Sequence, residues 1–318
     1  MADLPEGFHS IFVDCGEVRL HAVTNGMRGA DGELYDDHDY HGRPIILFLH
    51  GFPEYWAGWK PVFTRLASDY LVIAPDQRGY NLSDAPQEVE AYTARKLAAD
   101  QLALASSLVG TRKFILAGHD WGASVAYALA IAAPERLNGL VVANGVHPIV
   151  FQRALLEDPE QAAASQYIHI LRAPQAAELL AEDNYAKALA MLENFSITAW
   201  MNDDERAGYR EAWSHPGRLN AMLNWYRAAP LVVPEPGEKD VEAPLADAPA
   251  DKFQLPMPHL LIWGAADQAL KPSSTAGLED FAPHLERVEI ADADHWLIHT
   301  HAETIAREID RFAAGLAE

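Results

Sequence analysis

The sequence predicts an α/β fold: a mostly parallel sheet flanked by helices, with a helical segment inserted late in the chain. Three observations carry this reading. Short apolar runs alternate with stretches whose apolar residues recur every three or four positions, the pattern of strand–helix–strand units. The alternation stops near residue 148, gives way to a long stretch rich in Ala, Leu and Glu, and resumes near residue 251. An apolar strand at 113–117 runs straight into Gly-His-Asp-Trp-Gly at 118–122 and then a helix, which requires a tight turn.

Strands are expected at 10–14, 19–24, 45–49, 70–74, 113–117 and 140–143, each closed by Gly, Pro, His or Asp. Helices are expected at 94–108 and 124–132 from their apolar spacing. Residues 148–250 read as a helical insertion that ends in a connector dense in Pro and acids, PLVVPEPGEKDVEAPLADAPADK. Strands at 259–263 and 287–290 and an amphipathic helix at 302–314 complete the pattern. The core is therefore expected to be built from 1–147 and 251–318, with 148–250 set apart. The loop at 30–43 holds five acids and two histidines, but in no metal-ligand spacing, and reads as a solvated acidic loop.

Composition bounds the function. The chain has 318 residues, with 24 Lys plus Arg against 46 Asp plus Glu, a net charge of −22. That excess disfavours nucleic acid and anionic membrane as partners. A 49% hydrophobic content supplies a large core. A single cysteine, Cys15, forms no intrachain disulfide, and the first residues lack the basic start and apolar run of a secretory signal, so the cytoplasm is the expected compartment. No apolar run reaches the roughly 18 residues of a membrane span. A monomer and a homodimer are both compatible with the sequence.

The chemistry concentrates in three places. In Gly118-His119-Asp120-Trp121-Gly122, glycines two positions either side of Asp120 allow a strand-to-helix turn that lifts one side chain above the sheet. The turn aims the first amides of the following helix at an anion there, so the Trp121 N–H is a natural oxyanion donor. An aspartate in this position attacks through a carboxylate oxygen, needs no base to activate it, and suits displacement at a saturated carbon. The alternative role for Asp120 is a helix cap. The ester formed by such an attack needs water activated by a base, and His295, just past the last strand, is placed for that. Asp267, four residues after Trp263, supplies the acid that orients it. Asp292 and Asp294 compete for that task but would have to fold back onto a neighbouring imidazole. The order Asp120, Asp267, His295 is nucleophile, acid, base. The turn after 45–49, His50-Gly51-Phe52-Pro53-Glu54-Tyr55-Trp56, offers the Phe52 amide as second oxyanion donor, with Pro53 a candidate for a cis bond. Phe52, Trp56, Trp121 and Trp296 are the expected walls of a substrate pocket, with Glu54 and Trp56 each read as structural or wall-forming rather than catalytic.

Taken together, HGFPEYW at 50–56, APDQRGYNLSDAP at 74–86, GHDWGA at 118–123, the segments carrying Asp267 and His295, and NWYR at 224–227 resemble the epoxide hydrolases of the α/β-hydrolase fold, over nearly the whole chain. The resemblance implies an α/β-hydrolase core, a helical cap at 148–250, and two cap tyrosines that protonate the epoxide oxygen. Tyr226 matches the second of these through NWYR and Tyr167 the first through YIHILRAP, with Tyr185 the substitute. The role makes physical sense, because epoxide opening leaves an alkoxide far more basic than a phenolate. The expected substrates are a small-molecule epoxide and water, giving a vicinal diol. No cofactor or metal is implied, since protein groups and water cover every step. A haloalkane- or haloacid-type dehalogenase with the same Asp-His-Asp set is the nearest alternative, and a non-catalytic ligand-binding module on this fold is the other.

Overall fold

A computed structural model describes residues 3–28, 34–35, 42–196, 200–238 and 240–316. The acidic loop read at 30–43 lies for the most part outside them. Among the described residues one large sheet is built from β1 (His9–Asp14), β2 (Arg19–Thr24), β3 (Ile45–Leu49), β4 (Leu71–Pro75), β5 (Phe114–His119), β6 (Leu137–Ala143), β7 (His259–Gly264) and β8 (Leu285–Ile290), in the spatial order β1-β2-β4-β3-β5-β6-β7-β8. β2 runs antiparallel to β1 and to β4, and every other neighbour pair is parallel.

Burial explains the composition of these strands. β3, β4, β5 and β7 are buried at every position, so they read as unbroken apolar runs. β1 and β8 lie at the two edges and alternate or expose their residues. β6 starts three residues before the expected 140, because Leu137 pairs with Phe114 across an irregularity in register.

The crossovers place the helices. From β3 the chain passes through α1 (Lys60–Leu66) to β4 on one side, then returns through α2 (Ala94–Val109) past β3 to β5, and continues through α3 (Trp121–Ala132) to β6. Right-handed crossovers in opposite directions put α1 on one face of the sheet and α2 and α3 on the other. The reversal of strand order between β3 and β5 opens a crevice at the carboxyl ends of these two strands, where ligands bind in such sheets.

Among the described residues six α-helices lie between β6 and β7: α4 (Pro148–Glu157), α5 (Pro159–Ala164), α6 (Tyr167–Arg172), α7 (Ala176–Asn194), α8 (Asp203–Ser214) and α9 (Arg218–Ala228). They are tied to the carboxyl-end loops by buried hydrogen bonds: the Trp213 indole donates to Pro53 O at 2.7 Å, and the Trp225 indole donates to Arg78 O at 3.0 Å. α8 begins at a full capping box between Asn202 and Glu205. α7 is broken at Glu182–Tyr185, where Asp183, Asn184 and Tyr185 take left-handed φ of 50°, 54° and 64°. Three such non-glycine residues are costly, and the break redirects the second half of α7 so that Met191 and Phe195 reach the crevice. The described residues of the Pro-rich stretch after α9 form turns but no helix or strand as far as residue 249. Short α10 (Leu297–Thr300) and α11 (Ala302–Gly315) complete the chain, α11 against α1. Among the described residues no helix is long and apolar enough to cross a membrane.

Candidate active site

Asp120, Asp267 and His295 follow strands β5, β7 and β8 and leave the sheet at the same end. Asp120 sits between β5 and α3 with φ 51° and ψ −121°, the strained turn that the flanking glycines permit. A Cβ at Gly122 would lie 2.1 Å from Leu49 O, and one at Gly51 would lie 2.5 Å from Asp120 Oδ1, so both positions must be glycine for turn and strand to approach this closely. The Phe52 N–H donates to Asp120 Oδ1 at 2.7 Å. Trp121 opens α3, so its amide belongs to the helix's N-terminal donors. The Phe52–Pro53 bond is cis.

His295 stands over the carboxylate. Its Nε2 is 3.5 Å from Asp120 Oδ2, and its Nδ1 is 2.8 Å from Asp267 Oδ2. Asp267 in turn accepts from the amides of Ala269 and Leu270 through Oδ1, and from Asn144 Nδ2 at 2.8 Å through Oδ2. A proton on Nδ1 facing Asp267 leaves Nε2 toward Asp120. Burial alone would depress the His295 pKa, but Asp267 and Asp120 outweigh it and raise it well above the ordinary imidazole range. Neither competing acid touches the imidazole. Asp294 accepts from Trp296 N and Ser196 Oγ, and Asp292 is exposed beside His301.

From the opposite wall come two tyrosines. Tyr226 on α9 packs edge-on against Phe52 and Trp121, with ring centroids 5.1 and 4.9 Å away. Tyr167 at the start of α6 lies 6.3 Å from Tyr226 and 5.7 Å from Phe195. Burial and then the nearby Asp120 charge push the Tyr167 pKa up. Burial, Tyr167 and Asp120 do the same for Tyr226. Both phenols are therefore neutral. Tyr185 is packed on Trp213 and lines neither chamber described below.

Two chambers meet at Asp120, Tyr167 and Tyr226. One, of about 380 Å³, runs along α3 and is walled by Trp121, Ser124, Phe151 and Ile168, and by Leu231 and Leu245 from the Pro-rich stretch. That stretch is thus part of a binding wall as well as a connector. The other, of about 20 Å³, lies beside His295 and is walled by Phe52, Met191, Phe195, Ala269 and Trp296. Of the four expected pocket walls, Phe52, Trp121 and Trp296 line a chamber. Trp56 does not: its indole is buried in the core, stacked on Phe63, because the turn after β3 points it back under the sheet.

Two groups escaped the sequence reading. Asn144, at φ 35° after β6, links the loops: its Oδ1 accepts from Gly264 N, its Nδ2 donates to Asp267, and its carbonyl accepts from Asp120 N at 3.2 Å. The available signal was an Asn-Gly pair at the carboxyl end of a strand. The second group is a buried ion cluster behind the imidazole. Glu54 lies 2.6 Å from His299 Nε2 and 3.3 Å from His119 Nδ1, and accepts from Tyr209 at 3.0 Å. Burial would raise the Glu54 carboxyl, but the two imidazoles hold it well below the usual range. His119 Nε2 is 2.8 Å from the backbone carbonyl of His295, so the cluster supports the loop that carries it.

Comparisons with known proteins agree on the architecture. Residues 44–302 match the family model for the α/β hydrolase fold. The chain is 34% identical over 299 residues to the AB hydrolase superfamily protein YfhM of Bacillus subtilis (strain 168), covering 92% of this chain and 94% of that one. It is 30% identical over 302 residues to epoxide hydrolase 4 of Homo sapiens, covering 93% and 75%. Among solved structures, one described among novel epoxide hydrolases from metagenomes of hot environments superposes with a TM-score of 0.82 at 32% identity, covering 97% of this chain and 99% of that one. A Bacillus megaterium epoxide hydrolase in complex with an inhibitor gives 0.82 at 25% identity, covering 96% and 100%.

Proposed function

The chain belongs to the epoxide hydrolases of the α/β-hydrolase fold family, and from that premise we propose that it opens an epoxide to a vicinal diol through an ester on Asp120. The observation that carries this reading is the pair of neutral phenols, Tyr167 and Tyr226, that line both chambers together with the Asp120 carboxylate. A carboxylate can displace halide or alkoxide, but only the alkoxide requires a proton. Phenols facing the nucleophile therefore favour epoxide opening over carbon–halogen cleavage.

In the first step one Asp120 oxygen attacks an epoxide carbon, the carbon–oxygen bond breaks, and a tyrosine proton passes to the departing oxygen. The product is a hydroxyalkyl ester and a tyrosinate, and the tyrosinate is reprotonated through water by the proton that His295 carries. Before this step His295 sits between two anions and holds its proton tightly. Esterification removes the Asp120 charge and with it part of that support, so the imidazole gives up its proton and is free to act as a base when one is needed. His295 then takes a proton from water as the oxygen attacks Asp120 Cγ. The negative charge gathers on Asp120 Oδ1, where Phe52 N already donates and Trp121 N is the second donor. Collapse expels the diol, which takes the proton from His295, and the new Asp120 carboxyl passes its own proton to His295 and returns as a carboxylate.

The test is to stop the second step alone. His295→Gln is expected to form the ester and not release it, so mass spectrometry after incubation with styrene oxide should show the intact protein heavier by one epoxide. A variant that stays unmodified under conditions where the native protein makes diol would overturn the covalent route.

A further inference from the structure

The two chambers differ in a way that bears on the shape of the substrate. They share Asp120, Tyr167 and Tyr226, so they meet where the epoxide ring must sit. On one side, about 380 Å³ of almost wholly apolar space extends toward Arg95, an exposed residue that marks its opening. On the other side, the described residues leave about 20 Å³. A cavity needs on the order of 10–15 Å³ to hold one water, so the small chamber accepts a single water and little else. It is also the chamber that His295 lines, and the large one is not. The position of the hydrolytic water and the absence of room for a second substituent are therefore the same fact.

We propose that the substrates are terminal epoxides bearing one large apolar group, which lies in the chamber along α3, and that trans-1,2-disubstituted epoxides are excluded because one substituent would have to occupy the water site beside His295. This inference rests on the epoxide-opening reading above. The wall that enforces it is built from Phe195 and Met191, which the break in α7 delivers, together with Trp296 behind them. Phe195 packs against both Tyr167 and His295, with ring centroids 5.7 and 6.3 Å away, so it closes the chamber at the point where a second substituent would emerge. The gap is steric, and the apolar lining of the large chamber sets no comparable limit on an aryl or alkyl group.

The experiment measures diol release by the full chain from styrene oxide, 1,2-epoxyhexane and trans-stilbene oxide. kcat/KM for the two terminal epoxides should exceed that for trans-stilbene oxide by about 100-fold or more. Phe195→Ala and Met191→Ala, each first checked for a native melting transition, should each raise the trans-stilbene oxide value relative to styrene oxide by about tenfold. Comparable turnover of trans-stilbene oxide by the native protein would overturn the inference and leave epoxide hydrolysis standing. So would a folded variant in which the ratio does not move. Diol from none of the three would instead overturn the reading on which the inference rests.

Discussion

Among the described residues two relays place a side-chain oxygen on the Nε2 and a carboxylate on the Nδ1 of a buried histidine, and their surroundings differ. At the carboxyl ends of β5, β7 and β8, Asp120, His295 and Asp267 are linked at 3.5 and 2.8 Å. At the far edge of the sheet, Ser10 Oγ lies 2.7 Å from His21 Nε2, and His21 Nδ1 lies 2.6 Å from Asp76 Oδ2. By distance alone the second relay is the better formed. The difference lies in what faces the first atom. Asp120 is held on a strained turn with the Phe52 amide aimed at it and two chambers opening onto it. Ser10 is an exposed residue in an ordinary edge strand and lines neither chamber. Its hydroxyl completes the hydrogen bonding of a buried histidine, and Asp76 receives Trp56 N and Asn81 Nδ2 as well. A relay becomes a site only where a cavity, an anion-stabilising backbone and an accessible nucleophile coincide.

The largest expected effect separates the two regions directly. Asp120→Asn keeps the shape of the side chain and an oxygen for the Phe52 amide, yet removes the attacking charge, and should lower kcat by about 10⁴-fold in a diol-release assay. A loss below tenfold would mean that the strained turn is not where bond-making occurs. Next comes Tyr226→Phe, which leaves the edge-on packing with Phe52 and Trp121 intact and deletes only the proton. It should slow ester formation from styrene oxide by about 100-fold in single-turnover measurements, leaving ester hydrolysis nearly unchanged. Equal slowing of both steps would make the tyrosine a packing residue, as much scaffold as Ser10.

How much of this was legible in the sequence follows from how local each constraint is. The elbow was, because strand, glycines, acid and helix are adjacent in the chain, and so was the pairing of Asp267 with His295 at successive strand ends. The strand order was not, since the reversal between β3 and β5 depends on pairings distant in sequence. Trp56 illustrates the same limit: six residues of turn separate it from β3, and its direction is decided by Phe63 and by Asp76 receiving its amide. Asn144 stands in an Asn-Gly pair after a strand and joins three loops, because its partners Gly264 and Asp267 arrive only once β6 and β7 are side by side. The small chamber was invisible for a related reason, as its walls come from segments distant in sequence, from Phe52 through Met191 and Phe195 to Trp296.

Buried histidines outside both relays give a smaller, pH-dependent effect. Burial pushes His147 down to about 4 and His259 to about 3, beneath Phe281 and Tyr127. Both are neutral in the folded protein, whereas in the unfolded chain each binds a proton below about pH 6.5. The unfolded state therefore takes up more protons as the pH falls, and stability should decline from about pH 6.5, levelling off for His147 near pH 4. Thermal melts across that window check the sign. His147→Phe, which keeps the ring against Phe281, should flatten the decline, and a slope that does not change would assign the acid sensitivity elsewhere.

The smallest expected effect is at the second relay, and it tests the comparison most severely. Ser10→Ala removes one hydrogen bond to His21 Nε2 at an exposed position, where water replaces the hydroxyl, so the stability loss should be about 1 kcal/mol or less. Diol release should be unchanged. If the relay were a working serine nucleophile, the native protein would react with a fluorophosphonate probe at Ser10 and hydrolyse p-nitrophenyl acetate, and Ser10→Ala would abolish both. Either result would show that hydrogen-bonded geometry suffices without a cavity. With Ser10 exposed and lining neither of the two chambers, the absence of labelling is what the physical argument requires.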